Sequence, residues 1–167
     1  MARTTSWVDL GVDPKISETL KERDIPYPFP VQSLTIPDAL RGADVCGKAK
    51  TGSGKTLAFG IPMIQNLQQR ERSKNPKGLI LVPTRELATQ VCEELEPLAE
   101  VKTLKIVAIY GGANIDEQIK VIKKGVDMVV ATPGRMIDLL ERQEMNVGGL
   151  EIVVVDEADR MADMGFL

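Results

Sequence analysis

Ala49-Lys50-Thr51-Gly52-Ser53-Gly54-Lys55-Thr56 is the stretch whose residue types and order point most directly at a chemistry. Gly52 and Gly54 permit backbone angles and a close approach that a Cβ would block, so successive N–H groups can wrap a phosphate. A helix opening at Lys55 adds the positive end of its dipole. In that arrangement Lys55 reaches the β- and γ-phosphates of a nucleotide, and the Thr56 hydroxyl ligates Mg²⁺. The general pattern G-x-x-x-x-G-K-[ST] has Gly where this chain has Ala49, so the match is incomplete. The simpler alternative is a glycine-rich turn without a ligand. A second signal, Asp156-Glu157-Ala158-Asp159, closes an apolar run. Opposite a phosphate loop, Asp156 can help hold Mg²⁺ and Glu157 can orient an attacking water. Alone, such an acidic end reads equally as a helix cap or a solvated turn.

These residues need elements to place them, and the chain supplies an alternation of strands and helices. Apolar runs, many of them β-branched, occur at Asp44–Gly47, Gly78–Val82, Lys105–Tyr110, Asp127–Thr132 and Glu151–Asp156. Helical patterns alternate with them at Lys55–Gln69, Arg85–Glu96, Ile115–Lys124 and Arg135–Arg142. Upstream, Asp13–Arg23 predicts a helix with Asp13 as N-cap and Pro14 at its first position. Val31–Leu40 predicts another, perturbed by Pro37. Runs that are continuously apolar imply a sheet covered on both faces, so the expected class is α/β with a mostly parallel sheet. In such sheets ligands bind beyond the carboxyl ends of the strands, which is where the phosphate loop and Asp156 fall. The series Leu87, Val91, Leu95 and Leu98 has the spacing of a core face, not of a cofactor box.

Composition narrows the classes further. With 167 residues the chain is one domain in size. It has no histidine, which excludes a Ser/His/Asp triad and any His-ligated zinc. Its two cysteines, Cys46 and Cys92, have apolar neighbours and read as buried thiols, too few for a metal site or a disulfide framework. Aromatics are 4% of the residues, so the core must be aliphatic. No apolar run approaches the ~18 residues that span a bilayer, and the N-terminus lacks the apolar core of a signal peptide. The expectation is a cytoplasmic protein with no membrane association. Net charge is −3, so any nucleic-acid contact must come from a few placed residues and not from a basic surface.

The phosphate loop together with Asp156-Glu157-Ala158-Asp159 resembles the DEAD-box family of ATP-dependent RNA helicases. Further matches follow in family order. Pro83-Thr84-Arg85-Glu86-Leu87-Ala88 is similar to the family's first RNA-contact motif, and Gly111-Gly112 and Thr132-Pro133-Gly134-Arg135 resemble the next two. Pro28-Phe29-Pro30-Val31-Gln32 resembles the adenine-reading segment, with Trp7 where an isolated aromatic is expected. The resemblance covers nearly the whole chain. It departs from the family pattern at Phe29, where many members have Thr, and at Ile25, where many place an aromatic.

The resemblance implies a RecA-like P-loop NTPase domain. Residues 1–33 would be an adenine-reading segment and 34–167 the first RecA-like domain, incomplete at its C-terminal end. It implies ATP and Mg²⁺ as cofactors, RNA as partner, and a second RecA-like domain beyond Leu167. Lys55, Asp156 and Glu157 would serve catalysis. Trp7, Gln32 and Ala49, Lys50, Thr51, Gly52, Ser53, Gly54, Lys55 and Thr56 would bind nucleotide, with Thr56 and Asp156 on the metal. Pro83, Thr84, Arg85, Gly111, Gly112, Thr132, Pro133, Gly134 and Arg135 would bind RNA through phosphate contacts.

Each residue also has a plainer reading. Gln32 can read an adenine edge through its amide, or cap a helix beginning near Val31. Trp7 can stack on a base or sit in the core. Arg85 can be a solvated helix start, Arg135 can pair with Asp138, and Gly111-Gly112 is first of all a turn. Two other classes stay open: a P-loop kinase or signalling NTPase, and a non-catalytic RNA-binding module.

Overall fold

Every apolar run after the first becomes a strand in the computed structural model, which describes residues 4–43, 54–67 and 74–165. The expected strand Asp44–Gly47 and the loop residues Ala49, Lys50, Thr51, Gly52 and Ser53 lie outside the described residues. The strands are β1 (Gly78–Leu81), β2 (Ile106–Ile109), β3 (Met128–Ala131) and β4 (Ile152–Val155). They pair parallel in the order β2-β3-β1-β4. Gly78 lies beside both Met128 and Ile152, and Met128 beside Ile106.

The helices among the described residues are α1 (Pro14–Glu22), α2 (Pro30–Leu40), α3 (Lys55–Asn66), α4 (Arg85–Val101), α5 (Ile115–Lys123), α6 (Pro133–Glu141) and α7 (Ala158–Asp163). Successive strand residues point to opposite faces, so one sheet feeds two cores. Ile80, Ile106, Met128 and Val130 enter the first, with Ile16 of α1, Ile61 of α3 and Leu95 of α4. Leu79, Ile109, Val129 and Ala131 enter the second, with Ile119 of α5 and Leu139 of α6. The sheet is therefore covered on both faces, as the continuously apolar runs required.

Prolines mark where burial overrides local preference. The helical pattern was expected to end at Glu96, before Pro97. Instead α4 runs on to Val101, because Leu98 and Ala99 are fully buried. In the same way α2 passes through Pro37 and ends at Leu40, held against the core by Ile36, whose side chain is fully buried. The hydrogen bond that each proline removes is outweighed by the apolar surface the following turn buries. At the N-terminus the expectation held: the Asp13 carboxylate accepts from the Lys15 N–H with Pro14 at the first helical position.

The closest helix contact on the first core face depends on Gly60. A Cβ there would overlap both methyl groups of Leu95 on α4. Gly60→Ala gains about 1 kcal/mol of helix propensity but overpacks a full core, at a cost of about 1–3 kcal/mol. It is expected to lower the urea midpoint; a raised midpoint would contradict this packing.

Asp13 also forms an ion pair with Lys102 across α1 and α4. The Lys102 ammonium, and then the Lys15 N–H, hold its carboxyl below the ordinary value of 3.8. Because the folded value lies below the unfolded one, this stabilisation is present above about pH 4 and is lost as pH falls through the folded value. Asp13→Asn should thus be less stable than the parent near neutrality, and the gap should close in acid, as followed by unfolding at stepped pH.

Candidate functional site

Parallel pairing continues one residue past each strand and fixes the site's floor. Val82 N–H donates to Ala131 O at 3.0 Å, Thr132 N–H to Ile109 O at 3.0 Å, and Asp156 N–H to Leu81 O at 2.9 Å. Pro83, Thr132 and Asp156 therefore emerge side by side at the carboxyl edge of the sheet.

Lys55 opens α3 directly after Gly54, and its Nζ lies 2.7 Å from Asp156 Oδ1. Asp156 is only 8% exposed, so the pair meets where solvent screens little. Gly54 has φ of +84°, in the left-handed region, and a Cβ there would overlap the Gln32 amide and the Phe29 ring. Both the angle and the space demand glycine. On the other side of Lys55, Thr56 adjoins Glu94 of α4, whose pKa burial pushes up.

Gln32 ties this end of the loop to α2. Its Oε1 accepts from the Phe29 N–H at 2.6 Å and its Nε2 donates to Gly54 O at 2.9 Å. The side chain is fully buried. Of its two readings the structure shows the helix cap, and adds a bond to the phosphate loop that the sequence did not announce.

Trp7 requires a correction. Predicted to bind nucleotide, it is fully buried in the first core, and its indole N–H donates to Ile25 O at 2.9 Å. No ring face is left for a base, because the ring's large apolar area is better satisfied inside an aromatic-poor core.

Glu157 follows Asp156 at the mouth of α7 with φ of +55° and ψ of +47°, a left-handed conformation that costs a non-glycine residue about 1–3 kcal/mol. Its Oε2 is buried with no hydrogen-bond partner among the described residues, and the Arg160 Nη1 stands 3.7 Å away. A strained backbone beside a buried carboxylate oxygen that lacks a hydrogen bond is the kind of feature that marks a working site.

Seven of the nine residues predicted to meet RNA share one cavity of about 420 Å³: Pro83, Arg85, Gly111, Thr132, Pro133, Gly134 and Arg135. Thr84 does not border it; its hydroxyl caps α4 by accepting from Leu87 N–H at 3.3 Å. Gly112 turns the chain nearby with φ of +82°. Arg85 keeps its plain reading, exposed at the first position of α4, whereas that of Arg135 does not hold. Arg85 lies over the Tyr110 ring, 5.0 Å from its centroid. Arg135 donates to Ala113 O and Gln118 Oε1, while Asp138 pairs with Arg142 instead.

Sequence reasoning missed four residues at these sites: Glu94, Tyr110, Gln118 and Met164, the last a further wall of the cavity. Tyr110 carried a usable signal, standing just before Gly111-Gly112 at a strand end. The others are ordinary helix positions whose partners lie far along the chain. Cys92 is half-buried, with its thiol raised to about 11 by burial, and is inert.

The residues fit a nucleotide with its divalent cation: a lysine and a buried carboxylate face each other, and the next residue in the chain brings a second carboxylate with an oxygen that makes no hydrogen bond among the described residues. Among the described residues, no group of three or more His, Cys, Asp or Glu side chains could hold a metal by itself. Any cation held here would therefore depend on phosphate oxygens and water for most of its ligands. No helix among the described residues is long and apolar enough to cross a membrane.

Comparison with known proteins agrees with this geometry. The family model for the DEAD/DEAH box helicase matches residues 29–167. The chain is 44% identical over 163 residues to the ATP-dependent RNA helicase CshA of Listeria monocytogenes, covering 98% of this chain and 31% of that protein. Among solved structures, the RNA helicase Prp28 of Chaetomium thermophilum bound to ADP superposes with a TM-score of 0.90 at 35% identity, over 99% of this chain and 42% of that one. A DEAD box protein of Methanococcus jannaschii gives 0.89 at 37% identity, over 97% and 44% respectively. The chain thus spans about a third of the length of the first of these relatives and under half of the two solved chains.

Gln32→Ala would leave the Phe29 N–H and the Gly54 carbonyl without their partner. It is expected to cost about 1–3 kcal/mol of stability, measured by urea unfolding. An unchanged midpoint would show that water replaces the amide without loss.

Proposed function

The chain belongs to the DEAD/DEAH box helicases over residues 29–167, and from that premise we propose that it is the ATP-binding half of an ATP-dependent RNA helicase. The observation that carries this reading is the 2.7 Å contact between Lys55 and the buried Asp156 at the carboxyl edge of the sheet. With nucleotide bound, Lys55 turns from Asp156 to the β- and γ-phosphates, exchanging one anionic partner for another in the same low-dielectric pocket. Asp156 and Thr56 would be the residues to hold Mg²⁺, which would supply neutralisation of charge on the transferred phosphoryl group. Glu157 accepts a hydrogen bond from the attacking water and orients it, using the carboxylate oxygen that has no hydrogen-bond partner among the described residues.

Adenine selection falls to Gln32. An amide has two donors and two acceptor sites, and Phe29 and Gly54 use one of each. The remaining N–H and lone pair match the acceptor and donor on an adenine edge and mismatch guanine, once the covering side chains move aside. Loop residues Ala49 to Ser53 complete the phosphate cradle.

RNA is assigned to the cavity between β1, β2 and β3. Its walls offer two guanidinium groups and the N-termini of α4 and α6 but few base-reading side chains, which suits phosphate recognition independent of sequence. Residues 1–33 serve as the adenine-reading segment and 34–167 as the first RecA-like domain. A second such domain in the parent protein would supply the arginine finger and the other half of the RNA groove. A P-loop kinase has no use for the second cavity, and a purely RNA-binding module has no use for Lys55 and Glu157. Both alternatives predict no RNA-stimulated turnover.

In the full-length protein, Lys55→Ala should lose ATP affinity, whereas Glu157→Gln should retain ATP and lose hydrolysis by about 10²–10⁴-fold, the range of general-base effects. Binding calorimetry and a phosphate-release assay, each with and without single-stranded RNA, separate the two. Parental hydrolysis by Glu157→Gln would remove Glu157 from the mechanism. Absence of RNA stimulation in the parent would remove the helicase reading.

A further inference from the structure

The two arginines of the second cavity are held by groups that no motif singles out. Gln118 lies on α5, on neither strand edge nor loop. Its Oε1 accepts from Arg135 Nη1 at 2.9 Å, and its Nε2 donates to Tyr110 O at 3.1 Å. Arg135 also forks onto Ala113 O, with Nη1 and Nη2 each at 3.2 Å. Tyr110 carries the Arg85 guanidinium over its ring at 5.0 Å. One amide thus connects the end of β2, the turn at Gly111-Gly112 and the start of α6.

We propose that Gln118 is a positioning residue for RNA phosphate: it locks Arg135, and through Tyr110 Arg85, in the orientation in which both guanidinium groups face the cavity. This rests on the RNA reading given above.

The chemistry of the contacts supports it. A guanidinium has five N–H donors in a plane. Ala113 O and Gln118 Oε1 engage one end of the Arg135 fork, using both Nη1 hydrogens and one on Nη2. The Nε–H and the second Nη2–H share the other edge and make no hydrogen bond among the described residues. That edge is the one suited to two parallel bonds with a phosphate. Arg85 is fixed differently, through its face, so that stacking on Tyr110 leaves its in-plane donors available.

Only an amide can perform the Gln118 role in full. Arg135 needs an acceptor and Tyr110 O needs a donor, so Glu lacks the donor and Lys the acceptor. Without the clamp, a long side chain with several rotatable bonds must be ordered by the RNA itself, and affinity falls by that entropy.

The test measures binding of oligouridylate by fluorescence anisotropy at several salt concentrations, using full-length protein, for the parent, Arg135→Ala, Gln118→Ala and the double variant. For single-stranded nucleic acid each phosphate contact contributes about 0.7 to the slope of log affinity against log salt. Arg135→Ala should lower affinity about tenfold, the scale of one charge-assisted contact, and reduce the slope by about 0.7. The expected result is that Gln118→Ala, which removes no charge, lowers affinity and slope in the same way, and that the double variant is no worse than Arg135→Ala alone. Gln118→Met, which keeps the length and apolar packing of the side chain, should behave like Gln118→Ala.

A parental salt slope in both Gln118 variants, or losses that multiply in the double variant, would overturn the positioning role. Parental binding by Arg135→Ala would overturn the RNA assignment of the cavity itself, so the two failures are distinguishable.

Discussion

Because β1 pairs parallel with both β3 and β4 in one register, Leu81, Ala131 and Val155 stand side by side, and the chain leaves all three strands at the same height. Everything the site does depends on that alignment. Antiparallel pairing would send alternate strand ends to the opposite edge of the sheet and scatter Thr132, Pro83 and Asp156. The hydrogen bonds from Val82, Thr132 and Asp156 extend the ladder one residue beyond the strands. They convert a backbone constraint into a fixed spacing of side chains.

The alignment divides the edge into two halves with different electrostatics. On the β4 side, Lys55 and the buried Asp156 meet at 2.7 Å. This close pair resembles a preorganised exchange site, in which the incoming anion competes with a carboxylate already present. On the β2 and β3 side the two guanidinium groups have no carboxylate partner in the interactions that hold them. Arg85 rests on an aromatic face and Arg135 on a carbonyl and an amide. Neutral partners fix orientation while leaving the charge unspent, which reconciles a net charge of −3 with the proposed binding of RNA phosphate.

Whatever depended on one segment and its own periodicity was legible in the sequence. The strand cores at 78–81, 106–109, 128–131 and 152–155 stood out because burial on both faces requires continuously apolar runs. The Asp13 cap stood out because its signal is local. What stayed hidden depended on partners distant in sequence. The run of α4 past Glu96 to Val101 rests on the burial of Leu98 and Ala99 against other elements. Trp7 could not be assigned to the core without Ile25, and Gln118 is unremarkable without Arg135 and Tyr110. The predicted roles of Lys55 and Asp156 drew on strand order, which a sequence shows only through the alternation of its elements.

Glu157 shows how the fold sustains a locally unfavourable site. Its left-handed backbone and the missing hydrogen bond on its buried carboxylate oxygen each work against the folded state. They persist because both flanks are anchored: Asp156 N–H bonds to β1 on one side, and Met161 of α7 is fully buried on the other. The same short helix that begins after Glu157 is followed at once by Met164, which borders the proposed RNA cavity. Between its two ends this six-residue helix has one fully buried side chain, Met161. The proposed nucleotide edge and the proposed RNA cavity therefore share this short helix as well as a sheet, and the burial of Met161 that anchors one flank of Glu157 lies between them.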